Sequence, residues 1–376
     1  MIWLATRLAF HNRTRLLVTL FGVVFSAYLT LTETALYIGM MENATSIIRH
    51  SGADLWVASK GIQNFDFAKT FPDDRAKLLI RSREVLWAKP IMLSWGFLKL
   101  PGGAQELVEI IGYDPAAPVG GPWEMASGAA GDVGGGANMI VDESARQRLG
   151  DLRLGSLWEL NDREIKLAAL SRSAKTFTTA PIVFVSYGLA QEMTPNASRR
   201  ADAAYIAVKL RKPQDAERFA ETIRGDLKDN EVLTTEAFVE RTILYWTVQT
   251  GMGAAFCLTA LLGLVVGAGI IGQTVFANTM EHLGEFATLK AMGATGRDLN
   301  TLILVQAAID AAIGFGVAVP LALLSKSPLE RTGVTLTVDM RLIAFLFTTT
   351  LAIALAAAYF SIRRVQRLDP ATIFRS

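Results

Sequence analysis

The chain has 376 residues, 51% of them hydrophobic and only 19% charged, a balance more apolar than an ordinary soluble domain carries, and the excess lies in a few long blocks. Its 37 Lys and Arg against 35 Asp and Glu leave a formal net charge of +2, so bulk charge supports neither nucleic-acid binding nor an acidic tail. The single cysteine, Cys257, excludes an internal disulfide, and three histidines without a Cys/His cluster leave no zinc spacing and no metal site to expect.

A helix needs about 20 apolar residues to cross a hydrocarbon core, and four segments qualify. The first runs from Leu16 to about Met41, with Glu33 as its one charge. It does not end in a small-residue cleavage site and reads as a retained anchor, residues 1–42 forming the N-terminus and span one. At its far end stand Met40, Met41 and Glu42, followed by His50.

Residues 43–241 alternate strand-like and helical runs and are long enough to fold as an α+β domain. The pattern predicts strands at 53–58, 107–112, 139–142, 157–160, 165–170, 182–186 and 205–210. Helices are predicted at 73–83 and 214–227, each following a proline that suits a first turn. The Gly/Ala-rich stretch 119–137 has few residues to anchor a core and reads as a mobile loop.

The second span lies within 242–280, a run without Asp, Glu, Lys, Arg or His. As one helix it would be ~58 Å long, about twice what a bilayer requires, so its first turns are expected to stand outside as a stalk. Gly263, Gly267 and Gly269 suit close approach between helices. Residues 281–298 then read as a short amphipathic helix, with Leu283, Phe286, Leu289 and Ala291 apolar, Glu281, Glu285 and Lys290 polar, and Gly293 ending it. Such a helix could receive motion from a separate protein or lie in the headgroups.

Span three covers 299–325 with Asp310 inside, 326–341 is a short outer loop, span four covers 342–362 without charge, and 363–376 is a tail. Acids inside a membrane are costly, which makes Glu33 and Asp310 functional candidates. They lie ~25 Å and ~15 Å along their helices, so no direct pair is expected. Arg7, Arg13 and Arg15 before span one, Lys290 and Arg297 between spans two and three, and Arg363, Arg364, Arg367 and Arg375 after span four place both termini in the cytoplasm. The fold class expected is an α-helical membrane protein with four transmembrane helices plus an α+β extracytoplasmic domain inserted between helices 1 and 2. No G-x-x-x-x-G-K-S/T, G-x-S-x-G, H-E-x-x-H or paired-cysteine motif occurs, so the chain is expected to be non-catalytic.

Three stretches carry a resemblance. Glu285-Phe-Ala-Thr-Leu-Lys-Ala-Met-Gly-Ala-Thr295 resembles the R-E-I-G-x-L-K-A-L-G-A signature of FtsX-like, MacB-type permeases of ABC transporters. Arg367-Leu-Asp-Pro-Ala-Thr-Ile-Phe-Arg375 resembles their closing L-D-P-A-E-A-L-R, and Asn12-Arg-Thr-Arg-Leu-Leu-Val-Thr-Leu-Phe-Gly22 is similar to their entry into span one. The chain departs from the pattern where Gly284 replaces an Arg, and where Gln306, with Asp310 one turn later, stands for a span-three Glu. With no fused ATPase, the layout is nearest to the DevC-, LolC- and HrtB-like members.

The resemblance implies a permease in the inner membrane, homodimeric or pseudo-dimeric, driven by a separate cytoplasmic ATPase that binds the ATP and magnesium. That partner would dock on Glu281, Glu285, Phe286, Lys290, Met292 and Gly293. Motion would be relayed outward by mechanotransmission, exporting or extracting a lipid-like or other amphiphilic cargo, with a periplasmic adaptor and outer-membrane duct as further partners beside membrane lipid. A non-transporting relay to an extracytoplasmic partner is the rival reading. Heme export is another, since HrtB-like relatives use side chains near the outer end of span one, and the resemblance would make Met40, Met41 and Glu42 the substrate contacts.

Overall fold

A computed structural model describes residues 13–172, 174–178, 180–194, 202–281, 284, 288, 292–331 and 334–366. In chain order the elements are α1 (Arg13–His50), β1 (Leu55–Ser59), β2 (Phe71–Pro72), α2 (Asp74–Leu79), β3 (Val85–Lys99), β4 (Gln105–Tyr113), β5 (Met125–Ser127), β6 (Asn138–Asp142), α3 (Arg146–Leu149), β7 (Leu157–Leu160), β8 (Arg163–Ser171) and β9 (Ile182–Ser186). There follow α4 (Tyr187–Met193), β10 (Asp202–Ala203), β11 (Tyr205–Leu210), α5 (Ala216–Arg224), β12 (Asn230–Thr234), α6 (Thr235–Leu244), α7 (Met252–Glu281), α8 (Gly296–Arg331) and α9 (Met340–Gln366). They form two compact units. A membrane unit holds the described residues through Ile38, Ala254–Pro328 and those from Leu336 on, and a head holds Gly39–Gly253 with Leu329–Thr335.

In the membrane unit α1, α7, α8 and α9 each contain an apolar stretch long enough to cross a bilayer. Lipid is as apolar as leucine, so helices here associate by close contact and hydrogen bonds more than by burial. Val23, Ile271, Val275, Leu302, Ala307 and Ala354 make the packed centre. Between α1 and α7 the Ser26 hydroxyl donates to the Gly263 carbonyl at 2.5 Å, and the Thr19 hydroxyl donates to that of Thr274 at 3.2 Å. Gly263 and Gly267 form this seam, since a Cβ at Gly267 would lie 2.2 Å from Ser26 Oγ, whereas Gly269 faces open space.

The head is built on a β-α-β-β-α-β frame. β1, β3, β11 and β12 lie in the order β12-β1-β11-β3 with every pair antiparallel, and α2 and α5 are its crossovers. Both faces of this sheet are covered, so its strands read as continuous apolar runs. Leu55, Val57, Ile206 and Val208 point to the side of Phe219 and Ile223 of α5, while Trp56, Tyr205 and Ala207 point to that of Phe238 and Val239 of α6. A second lobe is inserted between β3 and β11. The 15-residue β3 leaves the frame after Ile91 and pairs from Met92 to Lys99 with β4, after which the sheet continues β4-β9-β6-β8-β5.

Strands at 157–160, 182–186 and 205–210 fall where the pattern puts them, but β3, β12 and α4 are additional. Pro90 inside β3 reads as a breaker, and Ile91, Met92 and Leu93 are all buried, which hides the alternation of a strand. The stretch 119–137 is not a bare loop: it carries β5 and a 3₁₀ turn, Ala130–Val133, with Val133 fully buried and the Trp123 ring stacked on His50 at 4.3 Å. The uncharged run 242–280 is not one helix either. α6 runs into a π-helical turn, Tyr245–Gln249, and the chain breaks at Gly251, whose φ of 74° suits glycine, before α7 begins.

Candidate functional site

Of the residues expected to meet an ATPase, Glu281 ends α7, Met292 is exposed, and Gly293 follows with φ of 102°. Glu285, Phe286 and Lys290, like the tail from Arg367, lie outside the described residues. α8 starts with a reciprocal cap: the Thr295 N–H donates to Asp298 Oδ2 at 2.8 Å and the Asp298 N–H donates to Thr295 Oγ1 at 3.3 Å.

Gln306 and Asp310 stand one turn apart on α8, both buried, beside Ala307 and Ala311. Asp310 Oδ1 has no hydrogen-bond partner among the described residues. Glu33 is half-buried on α1, and no hydrogen bond joins it to Asp310 among the described residues. At the far end of α1, Met40 is half-buried and Glu42 exposed, while Met41 is buried with the Thr247 hydroxyl 3.9 Å from its sulfur. Met41 is thus the least accessible of the three.

The strongest electrostatic feature lies at two acids that the sequence pattern does not single out. Asp66 and Glu109 are buried in the head, at 4% and 2% exposure, and Asp66 Oδ2 and Glu109 Oε1 lack hydrogen-bond partners among the described residues. Asp66 sits in an inward-folded loop, Ile62 to Phe67, which several hydrogen bonds hold. The Trp95 indole donates to the Asp66 carbonyl at 3.3 Å, the Tyr205 hydroxyl to the Phe65 carbonyl at 2.6 Å, and Arg241 to the Ile62 carbonyl at 3.2 Å. Glu109 lies on β4 opposite Trp95 of β3.

Burial raises the Asp66 carboxyl to about 7, with Trp246 pulling weakly the other way. Burial, and then the charge of Asp66, pushes Glu109 well above the usual carboxylate range. Arg241 gives its other contact to Glu231 at 3.0 Å. Two desolvated acids that repel one another keep at least one proton near neutral pH. The signal was a glutamate inside the apolar run Leu107-Val-Glu-Ile-Ile111 and an aspartate between Phe65 and Phe67. Replacing Tyr205 by phenylalanine leaves the buried Phe65 carbonyl short of a donor and is expected to lower head stability by about 1–3 kcal/mol in a denaturant titration.

The head also has an open cleft of about 400 Å³ lined by Asp73, Lys77, Lys89, Asp114, Pro115 and Tyr187. Its charges are largely matched. Lys89 pairs with Asp114 at 2.8 Å and holds that carboxyl below its ordinary range, and the Tyr187 hydroxyl is 3.2 Å from Asp73 Oδ2. No cluster of three or more His, Cys, Asp or Glu that could hold a metal occurs among the described residues.

A head inserted between the first and second of four apolar helices is the layout of a membrane permease with a periplasmic-type domain. Residues 16–225 match the MacB-like periplasmic core domain and residues 257–370 the FtsX-like permease C-terminal domain. The chain belongs to the FtsX/MacB family of ABC transporter permeases. The uncharacterized ABC transporter permease Rv2563 of Mycobacterium tuberculosis is 24% identical over 356 residues, 94% of this chain and 93% of that protein. The macrolide export ATP-binding/permease protein MacB of Bradyrhizobium diazoefficiens is 29% identical over 151 residues, 40% of this chain and 23% of that protein. The periplasmic region of MacB from Actinobacillus actinomycetemcomitans covers 52% of this chain and 95% of its own at 15% identity, with a TM-score of 0.39.

Proposed function

We propose that this chain is a permease subunit that converts ATP hydrolysis by a separate cytoplasmic ATPase into movement of its head, exporting or extracting an amphiphilic, lipid-like or hydrophobic small molecule. The observation that carries this reading is α1, one helix of 38 residues without a break, whose first part belongs to the membrane unit and whose last turns, from Gly39, belong to the head. A continuous helix transmits displacement along its axis, where a flexible linker would absorb it.

In this reading the protein lies in the bacterial inner membrane with both termini in the cytoplasm and the head in the periplasm. It works as a homodimer and hands cargo to an adaptor and outer-membrane duct. Leu258, Leu261, Leu262 and Val265, exposed on α7, offer an apolar face for a second copy or for lipid. The ATPase docks on the stretch from Glu281 to Gly293 and on the tail.

Copurification with the ATPase, and ATP turnover by the complex in nanodiscs, tests this. Glu285→Ala with Lys290→Ala is expected to lower complex yield or membrane-coupled ATP turnover by tenfold or more. Full binding and turnover in that double variant would refute the docking assignment, and nucleotide hydrolysis by the purified chain alone would refute the division of labour.

A further inference from the structure

We propose that Thr335 is a positioning residue whose hydroxyl pins the connection between α8 and α9 to the head, so that the two move as one piece; the inference rests on the transport reading for its purpose and on geometry for its existence. The end of α8, from Leu329, and Thr335 in the connection to α9 follow a membrane helix in sequence, yet they group with the head.

The reason lies in three atoms around one oxygen. The Asn43 amide donates to Thr335 Oγ1 at 3.1 Å, Thr335 Oγ1 donates to Asn43 Oδ1 at 3.2 Å, and Lys175 Nζ donates to Thr335 Oγ1 at 3.3 Å. A hydroxyl has one proton and two lone pairs, and all three are used. Lys175 is itself tied to α1, because the Ser46 hydroxyl donates to its carbonyl at 3.3 Å.

The backbone is fitted as closely as the side chain. Gly39 and Asn43 are four residues apart and share a face of α1. A Cβ at Gly39 would lie 2.1 Å from the Thr335 carbonyl oxygen and 2.8 Å from its carbon. Both are backbone atoms that cannot swing away, so any side chain at 39 lifts the connection off the helix. Within the membrane unit, the Thr337 N–H donates to the Ala35 carbonyl at 3.2 Å, one turn earlier on the same face of α1. A loop that merely closed the gap between α8 and α9 would need neither a saturated hydroxyl nor a bare glycine beneath it.

The test has two arms, both on the full chain with Cys257→Ser. Asn43→Cys with Thr335→Cys is expected to form a disulfide readily under mild oxidation in native membranes, a result that does not depend on any ATPase. In nanodiscs with the copurified ATPase, hydrogen exchange of the head is compared without nucleotide and with ATP and vanadate. The nucleotide-dependent change seen in wild type is expected to vanish in Thr335→Val while ATP turnover continues, and to return in Thr335→Ser. Asn43→Ala, which keeps the threonine and removes its partner, carries the same expectation should Thr335→Val fold poorly.

A full nucleotide response in both Thr335→Val and Asn43→Ala, or no disulfide, overturns the pin. A wild type that shows no nucleotide response overturns the transport reading, and the disulfide then decides the pin by itself.

Discussion

Gly267→Leu is expected to leave little folded protein in membranes, whereas Gly269→Leu, two residues on, is expected to be silent. The Cβ of the first would lie 2.2 Å from Ser26 Oγ and 2.9 Å from Ser26 Cβ, and the rest of the leucine would then have to enter the α1–α7 seam. Separating the helices breaks the Ser26 bond to the Gly263 carbonyl and opens a contact that lipid cannot refill with equal density. Overpacking costs about 1–3 kcal/mol and the lost hydrogen bond adds about 1 kcal/mol, a large share of the stability of a folded domain. Gly269 has nothing within 4 Å, so a side chain there meets only surroundings. Thermal melts in detergent compare the two, and equal melting temperatures would show that the seam does not hold the helices.

Raising the pH from 4 to 8 is expected to weaken the head, the reverse of the usual behaviour of a carboxylate. Folding lifts the Asp66 carboxyl from 3.8 to about 7, so between those values the folded state keeps a proton that the unfolded chain has released. The stabilisation is fully present below pH ~4 and is lost as pH climbs through the folded value near 7. Over that window the total is on the order of 4 kcal/mol, at about 1.4 kcal/mol per pH unit. Glu109 is shifted in the same direction and adds to the slope.

Asp66→Asn therefore unfolds at the same denaturant concentration as wild type near pH 4 and outlasts it at pH 8. Adding Glu109→Gln flattens what slope remains. Tryptophan fluorescence reads the transition, since Trp95 and Trp246 sit beside the acid. An unchanged slope in the double variant would place the titrating groups elsewhere.

The parts of this architecture written in short-range pattern were legible from residues alone. The four apolar blocks and strands such as Ile182–Ser186 need only composition and local alternation, whereas composition does not tell Gly263 and Gly267, which meet α1, from Gly269, which faces open space. β3 was not legible, because burial on both faces removes alternation and Pro90 looks like an end. Nor were Asp66 and Glu109, which a polar/apolar rule assigns to solvent until tertiary packing closes over them. The Thr335 pin joins residues 292 apart in sequence, and nothing local marks a threonine after Gly-Val as the partner of Asn43.

The frame of the head also bears on how such permeases can diverge. β3 exits and β11 re-enters as neighbours, with Ile91 facing Tyr205, so both chain crossings pass one paired doorway, while Lys175 reaches Thr335, Phe177 stacks on Trp246 and β10 pairs with β2 as further tethers. A different lobe, or one of another size, can be hung there by a graft at two adjacent positions without disturbing the hydrogen bonds of the four-strand base. A chimera cut between 91 and 92 and between 204 and 205 therefore keeps the four-strand base, but the incoming lobe must bring its own counterpart of Lys175 to meet Thr335.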